Sequence, residues 1–150
     1  FIFQAYQLIA SMDAEENVAL PLNFRGVKRS ERTAKARLML ERVKLGKYRK
    51  HFPDQMSGGQ QQRVGVARAL VSHPEIIFAD EPTGNLDSRT SREIMALMQK
   101  VVKEQGCTLV MATHDPQLAS WADRIIKVID GKIVSIEVKK KESTEDEEMV

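Results

Sequence analysis

The sequence is poor in residues that staple a chain or carry it through a bilayer. It holds one cysteine, Cys107, in 150 residues, so no disulfide can form within it. Set in the apolar run CTLVMAT, that thiol reads as a buried structural group, suited to a reducing cytosol. No uninterrupted apolar run approaches the ~18 residues of a membrane span, which excludes a bilayer crossing by one of these segments. Charge of one sign is also scarce. The net charge is +2; the last twelve residues, KKKESTEDEEMV, hold three basic and five acidic side chains, leaving +4 on the rest. That is too mild a balance to argue for nucleic acid. There is no internal repeat, and no basic stretch leads into an apolar signal segment. The chain opens on Phe1 rather than Met, and FIFQ reads as a strand end running into a loop, so an upstream part of the domain is expected.

What is present is ordinary for a globular chain: 42% hydrophobic and 29% charged residues. At this length a single domain buries about 68–70% of its unfolded surface, enough for a real core. Residues 13–56 read as a polar helical insert bracketed by Pro21 and Pro53. Within it ERTAKARLMLERVKL places Ala34, Leu38, Val43 and Leu45 at near-helical spacing before Gly46 stops the helix. From residue 57 helices and strands alternate. EIIFAD (75–80) and CTLVMAT (107–113) are short, continuously apolar runs that suit a parallel sheet buried on both faces. Between them Ile94, Leu97, Met98, Val101 and Val102 share a helical face, with Gly106 as the stop. RIIKVIDGKIVSIEV (124–138) is two strands joined by Asp130-Gly131, a type I′ hairpin signal that would close the sheet with an antiparallel edge. The charged tail, 139–150, lacks core-forming residues and is expected to be disordered.

Three stretches carry chemistry. In PDQMSGGQQQRVGVARAL, Ser57 with Gln60 forms a capping box, and the plainest meaning of SGGQ is a well-capped helix. Gly58 and Gly59, however, strip side chains from a helix start where free N–H groups and the positive dipole end would meet an anion, a phosphate above all. A helix end contributes roughly 0.3–2 kcal/mol toward an anion, whereas micromolar binding needs about 8 kcal/mol. The turn therefore completes a phosphate site built elsewhere. In EIIFADEPTGNLD an apolar strand ends in Asp80 and Glu81, at the edge where open α/β sheets bind ligands. One carboxylate suits Mg²⁺ and the next suits orienting or deprotonating water; helix capping is the alternative role. In VMATHDP, His114 stands past the second strand at the same edge, as a catalytic or phosphate-sensing candidate. His51 and His73 lie in loops and read as structural.

In this order the pieces resemble the nucleotide-binding domain of ATP-binding cassette (ABC) transporters, over nearly the whole chain to about Val138. Phe3-Gln4 looks like the Q-loop and Met56-Ser57-Gly58-Gly59-Gln60 like the family signature, with Met where Leu is usual. Residues 76–81 look like Walker B, Gly84-Asn85-Leu86-Asp87 like the D-loop and His114 like the switch histidine. FIFQAYQLI, ENVALPL and DEPTGNLD are most similar to the branch of lipoprotein-releasing, macrolide-export and cell-division ATPases. The resemblance implies an α/β fold: part of a P-loop NTPase core of ABC type with parallel strands, a helical subdomain at about 5–63 bearing the signature, a core portion at 64–138 and a C-terminal β-hairpin. It implies ATP and Mg²⁺ as cofactors. Gln4 would sense Mg²⁺ and the lytic water and couple to membrane helices, Asp80 would hold Mg²⁺, Glu81 would be the general base and His114 would contact the γ-phosphate. Ser57, Gly58, Gly59 and Gln60 would face ATP held by the opposite subunit, and Asp87 would communicate across the dimer. The implied partners are a second nucleotide-binding domain, head to tail, and transmembrane permease subunits, at the cytoplasmic face of the membrane.

One departure is large. No G-x-x-x-x-G-K-[ST] phosphate loop (Walker A) occurs: Gly46-Lys47 runs into Tyr48 and Gly131-Lys132 into Ile133. In the family that element and the adenine-stacking aromatic lie upstream of the Q-loop. The chain is therefore expected to be the carboxyl-terminal portion of an ATPase domain, inactive alone. A naturally short partner donating its signature to a full-length subunit, and an ABC ATPase outside transport, are the alternatives; the absence of sustained heptads before the signature favours transport over the latter.

Overall fold

The computed structural model describes residues 1–139 and divides the chain into two compact units, Phe1–His114 and Asp115–Val150. The expected disorder of the tail falls, beyond Lys139, outside the described residues. Among them, no helix is long and apolar enough to cross a membrane.

In the first unit the order is β1 (Ile2–Phe3), α1 (Ala14–Phe24), α2 (Arg29–Arg42), two 3₁₀ turns (Gly46–Tyr48 and Pro53–Gln55), α3 (Gly58–Leu70), β2 (Ile76–Asp80), α4 (Ser88–Gln105) and β3 (Thr108–Ala112). The three strands form one parallel sheet in the order β1-β2-β3, with Phe3 beside Asp80 and Asp80 beside Ala112. That register brings the carboxyl ends of all three strands to one edge. Each connection is helical, as parallel pairing requires: α1 to α3 lie between β1 and β2, and α4 between β2 and β3.

The predicted strands are present, but their burial differs from expectation. Ile2, Ile77 and Ala79 are buried, while Ile76, Phe78 and Val110 alternate with them onto a bare face, Phe78 being 46% exposed. Among the described residues the sheet is covered on one side only. Phe1 stacks on Phe3 and Phe78 along this sheet, with ring centroids 5.8 and 5.4 Å apart.

The helical insert is a bundle in which α1 packs on α2 and α3. Asp13 caps α1 in a capping box with Glu16. Asn17, fully buried, ties the incoming segment to the helix: its Oδ1 accepts from Ile9 N at 2.8 Å, and its amide donates to the Ile9 and Met12 carbonyls. Glu15 is also buried and binds Arg37 (2.7 Å) and Lys50 (3.1 Å). Burial pushes its carboxyl up, but hydrogen bonds from Arg37 and Lys50 outweigh this and hold it below the ordinary range.

Three details of the insert correct the sequence reading. Pro21 brackets nothing; it lies inside α1, where its missing N–H removes the donor that would reach the Asn17 carbonyl. The buried face of α2 is Ala36, Met39 and Leu40, continuing to Val43 and Leu45, whereas Ala34 is exposed and Leu38 is 60% exposed. The helix also ends earlier than Gly46: Lys44 takes the left-handed conformation (φ +62°), and Leu45 N returns to the Leu40 carbonyl at 2.7 Å.

Helix α4 follows its pattern closely, burying Ile94, Met95, Leu97, Met98 and Val101 and closing on Gly106 at φ +67°. Cys107 is half-buried rather than buried as expected; burial raises its thiol pKa, and its Sγ donates to the Val102 carbonyl at 3.7 Å.

The second unit holds a short helix, α5 (Pro116–Ala119), and an antiparallel hairpin of β4 (Arg124–Ile129) and β5 (Lys132–Val138). Asp130 and Gly131 both have positive φ, +49° and +73°, as a type I′ turn demands. Among the described residues the hairpin pairs within itself as a two-stranded sheet, and not as the antiparallel edge expected of the parallel sheet. The reason is pairing: β4 hydrogen-bonds β5 alone, with a register irregularity between Lys127 and Val128.

Candidate functional site

The carboxyl edge of the parallel sheet gathers the sequence-predicted acids and histidine. Strand β2 ends at exposed Asp80, and the next residue, Glu81, turns out of the strand at φ +41° while its N–H still reaches the Ala112 carbonyl at 3.0 Å. That turn directs the Glu81 carboxylate across to the end of β3. There it accepts from Thr113 Oγ1 (3.1 Å) and His114 N (2.9 Å), and its Oε1 lies 2.6 Å from His114 Nδ1. Burial acts to raise the Glu81 pKa, but the hydrogen bonds from His114 and Thr113 prevail and keep the carboxyl below its ordinary 4.5. Glu81 is thus held ionised by the histidine, and neither Asp80 nor Glu81 caps a helix. The His114 side chain is 89% exposed.

At the end of β1, Gln4 exchanges hydrogen bonds with Asn85: Gln4 Nε2 donates to Asn85 Oδ1 (3.3 Å) and Asn85 Nδ2 donates to the Gln4 carbonyl (3.1 Å). The approach depends on Gly84, because a Cβ there would stand 2.6 Å from Gln4 Nε2. The turn holding Gly84 is closed by Gly84 N to the Glu81 carbonyl and Leu86 N to the Thr83 carbonyl, both 3.0 Å. Asp87 then caps α4, accepting from Arg89 N and Thr90 N at 3.0 Å each and from Thr90 Oγ1 at 2.6 Å. The Thr90 hydroxyl, with the backbone donors, lowers its pKa.

The Ser-Gly-Gly turn forms the predicted capping box. Ser57 N donates to Gln60 Oε1 (2.9 Å) and Gln60 N to Ser57 Oγ (3.2 Å). Ser57 is exposed and the two glycines half-buried. The glycines have an intramolecular reason as well: a Cβ on Gly58 would lie 2.7 Å from Tyr6 Oη, and one on Gly59 2.7 Å from Thr90 Cγ2. The turn therefore nests against the loop after β1 and the start of α4. The N–H groups of Gly58 and Gly59 have no intrahelical acceptor, as at any helix start.

The structure thus joins Gln4 to the 84–87 turn, Glu81 to His114, and the Ser57 turn to the flanks of both Gln4 and Asp87. It also reveals residues that motif spacing missed. Arg68 donates to the Tyr6 and Gln7 carbonyls, Thr113 supports Glu81, and fully buried Gln62 donates its amide to the Pro82 carbonyl. Their partners are distant in sequence; only the polar character of Gln62 on an otherwise apolar helix face offered a signal. Among the described residues no group of three or more His, Cys, Asp or Glu is placed to hold a metal.

A helix-covered parallel sheet with an acidic strand end, a paired histidine and a capped Gly-Gly turn defines a mixed α/β protein of the nucleotide-cassette class. The chain belongs to the ABC transporter family, whose model matches residues 1–84. It is 49% identical over 136 residues to an uncharacterized ABC transporter ATP-binding protein of Methanocaldococcus jannaschii, covering 91% of this chain and 60% of that protein. It is 48% identical over 135 residues to the macrolide export ATP-binding/permease protein MacB of Aggregatibacter actinomycetemcomitans, covering 90% of this chain and 21% of MacB. Among solved structures it is similar to a dimeric ATP-binding cassette in a post-hydrolysis state bound to ADP and Pi. There the TM-score is 0.78 and the identity 43%, covering 94% of this chain and 62% of that one. The chain thus spans about three fifths of the length of the cassette proteins it matches.

Proposed function

We propose that the chain is the signature-bearing portion of an ATP-hydrolysing ABC transporter subunit, with residues of about 5–63 as its helical subdomain and 64–138 as its core portion. The observation that carries this is the Glu81–His114 pair beside Asp80, at the edge where three parallel strands end. Asp80 and the Gln4 amide oxygen are the hard oxygen donors that Mg²⁺ takes; two protein groups suffice for an ion that draws its other ligands from phosphates and water. Bound there, Mg²⁺ would neutralise charge developing on the γ-phosphate. Glu81 orients and deprotonates the attacking water. In the described state its hydrogen bonds to His114 make it a weak base, so engagement of His114 by the γ-phosphate would restore its basicity.

Ser57, Gly58, Gly59 and Gln60 would close the site on a nucleotide carried by a second cassette packed head to tail, with Asp87 at the junction. The dimeric cassette similar to this chain supports that reading. MacB supports export, or extraction from the membrane, and a transmembrane permease partner at the cytoplasmic face. An open cleft of about 320 Å³ at α1 and α2, lined by Glu15, Glu16, Arg29, Arg32 and Lys50 among others, offers such a partner a surface of both charges.

The test is turnover. The 150-residue chain alone should release no phosphate from ATP. The complete cassette should hydrolyse ATP, and Glu81→Gln should abolish turnover while trapping an ATP-bound dimer in size-exclusion chromatography. Hydrolysis by the isolated chain, or unchanged turnover in Glu81→Gln, overturns the proposal.

A further inference from the structure

The loop leaving β1 is strained and must be held. Tyr6 and Gln7 stand in succession at φ +59° and +48°, and Gln7 N bends back to the Ala5 carbonyl at 2.6 Å. Non-glycine residues keep such conformations only where their surroundings impose them. The holder is Arg68, two residues from the end of α3: one guanidinium nitrogen donates to the Gln7 carbonyl at 2.7 Å, the other to the Tyr6 carbonyl at 2.9 Å. The start of the same helix meets the same loop, since Tyr6 Oη occupies the space a Cβ on Gly58 would need. Helix α3 thus grips the loop at both ends, and Gln4 lies two residues before the gripped segment.

Arg68 is an unusual choice if stability were the only purpose. Among the described residues its hydrogen-bond partners are the two carbonyls and no carboxylate, and burial lowers its pKa, so a partly desolvated cation faces neutral carbonyls. A planar fork with two parallel donors fixes two acceptors in direction as well as distance, which a lysine cannot do.

We propose that Arg68 is a positioning residue for Gln4: it locks the 5–7 loop to α3, so that Gln4 and the Ser57 turn keep one fixed relation. Its catalytic consequence rests on the ATPase reading above; its structural consequence does not.

The test uses the intact natural protein with Arg68→Gln and Arg68→Lys. Amide hydrogen exchange should rise about tenfold or more in residues 4–9 in Arg68→Gln and by an intermediate factor in Arg68→Lys, with α4 unchanged. Turnover should fall about tenfold with KM for ATP within about twofold, the pattern of a group that acts after nucleotide is bound. Should Arg68→Gln lose cooperative melting, Arg68→Lys carries both measurements. Unchanged exchange in 4–9, a rise spread equally over α1 to α4, or local loosening with full turnover each overturns the proposal. If the unsubstituted protein does not hydrolyse ATP, the ATPase reading has failed, and the exchange result still decides the contact between Arg68 and the loop.

Discussion

Two side-chain arrangements set what single substitutions should do. Glu81 has a folded pKa below its unfolded value, so its bonds to Thr113 and His114 contribute stability that is fully present above about pH 4.5 and lost as pH falls through the folded value. Urea unfolding between pH 7 and pH 3 should therefore show Glu81→Gln least different from the unsubstituted chain at the acid end, with the gap opening as pH rises past the ordinary carboxylate range. A constant gap would remove the pair from the account. At Gly59 the neighbour is a methyl group, and overpacking of this kind costs about 1–3 kcal/mol, more than the gain of up to about 1 kcal/mol from placing Ala in a helix. Gly59→Ala should thus lower the unfolding midpoint, and adding Thr90→Ser, which deletes Cγ2 but keeps the hydroxyl on Asp87, should recover most of the loss. The motif residues themselves were legible because each occupies a short contiguous word. Their connections were not: Gln4 and Asn85 are 81 residues apart, Arg68 and Gln7 61 apart, and no periodicity links them.

Among elements, legibility followed how tightly local chemistry constrains the chain. The strands at 76–80 and 108–112, the capped start of α3, the Gly106 stop and the Asp-Gly hairpin all depend on neighbours a few residues away, and all are present. The apolar residues of helix α2 allow two faces; only packing against α1 and α3 selects Ala36, Met39 and Leu40 over Ala34 and Leu38. This choice is measurable. Met39→Ala should cost about 2–5 kcal/mol in chemical denaturation, whereas Leu38→Ala should change stability by less than about 0.5 kcal/mol. Equal losses would return the helix to the face the spacing first suggested. Pro21 shows the reverse error, a local rule overridden by the packing of α1 against α2 and α3.

For the 150-residue chain, the decisive property is the side of the parallel sheet that stays exposed among the described residues. Ile76, Phe78 and Val110 form an apolar strip in a class of sheet that is ordinarily shielded on both faces, and exposed strips of this kind promote association. The 150-residue chain alone should self-associate in sedimentation velocity at tens of micromolar, and Phe78→Lys with Val110→Lys should shift it toward monomer without loss of helical circular dichroism. A monomer before substitution would show the strip to be innocuous. The same chain carries its reactive candidates on the edge of that sheet, so the polar edge and the apolar face make separate demands on whatever packs around them.

The cap on α4 ties two events together. The carboxylate of Asp87 already accepts from three donors of the first turn, two on Oδ1 and one on Oδ2, which leaves a single lone-pair site on Oδ2 for a visitor. Contact at that spot would consequently bear on the cap of an 18-residue helix whose far end leads into β3 and, beyond it, His114.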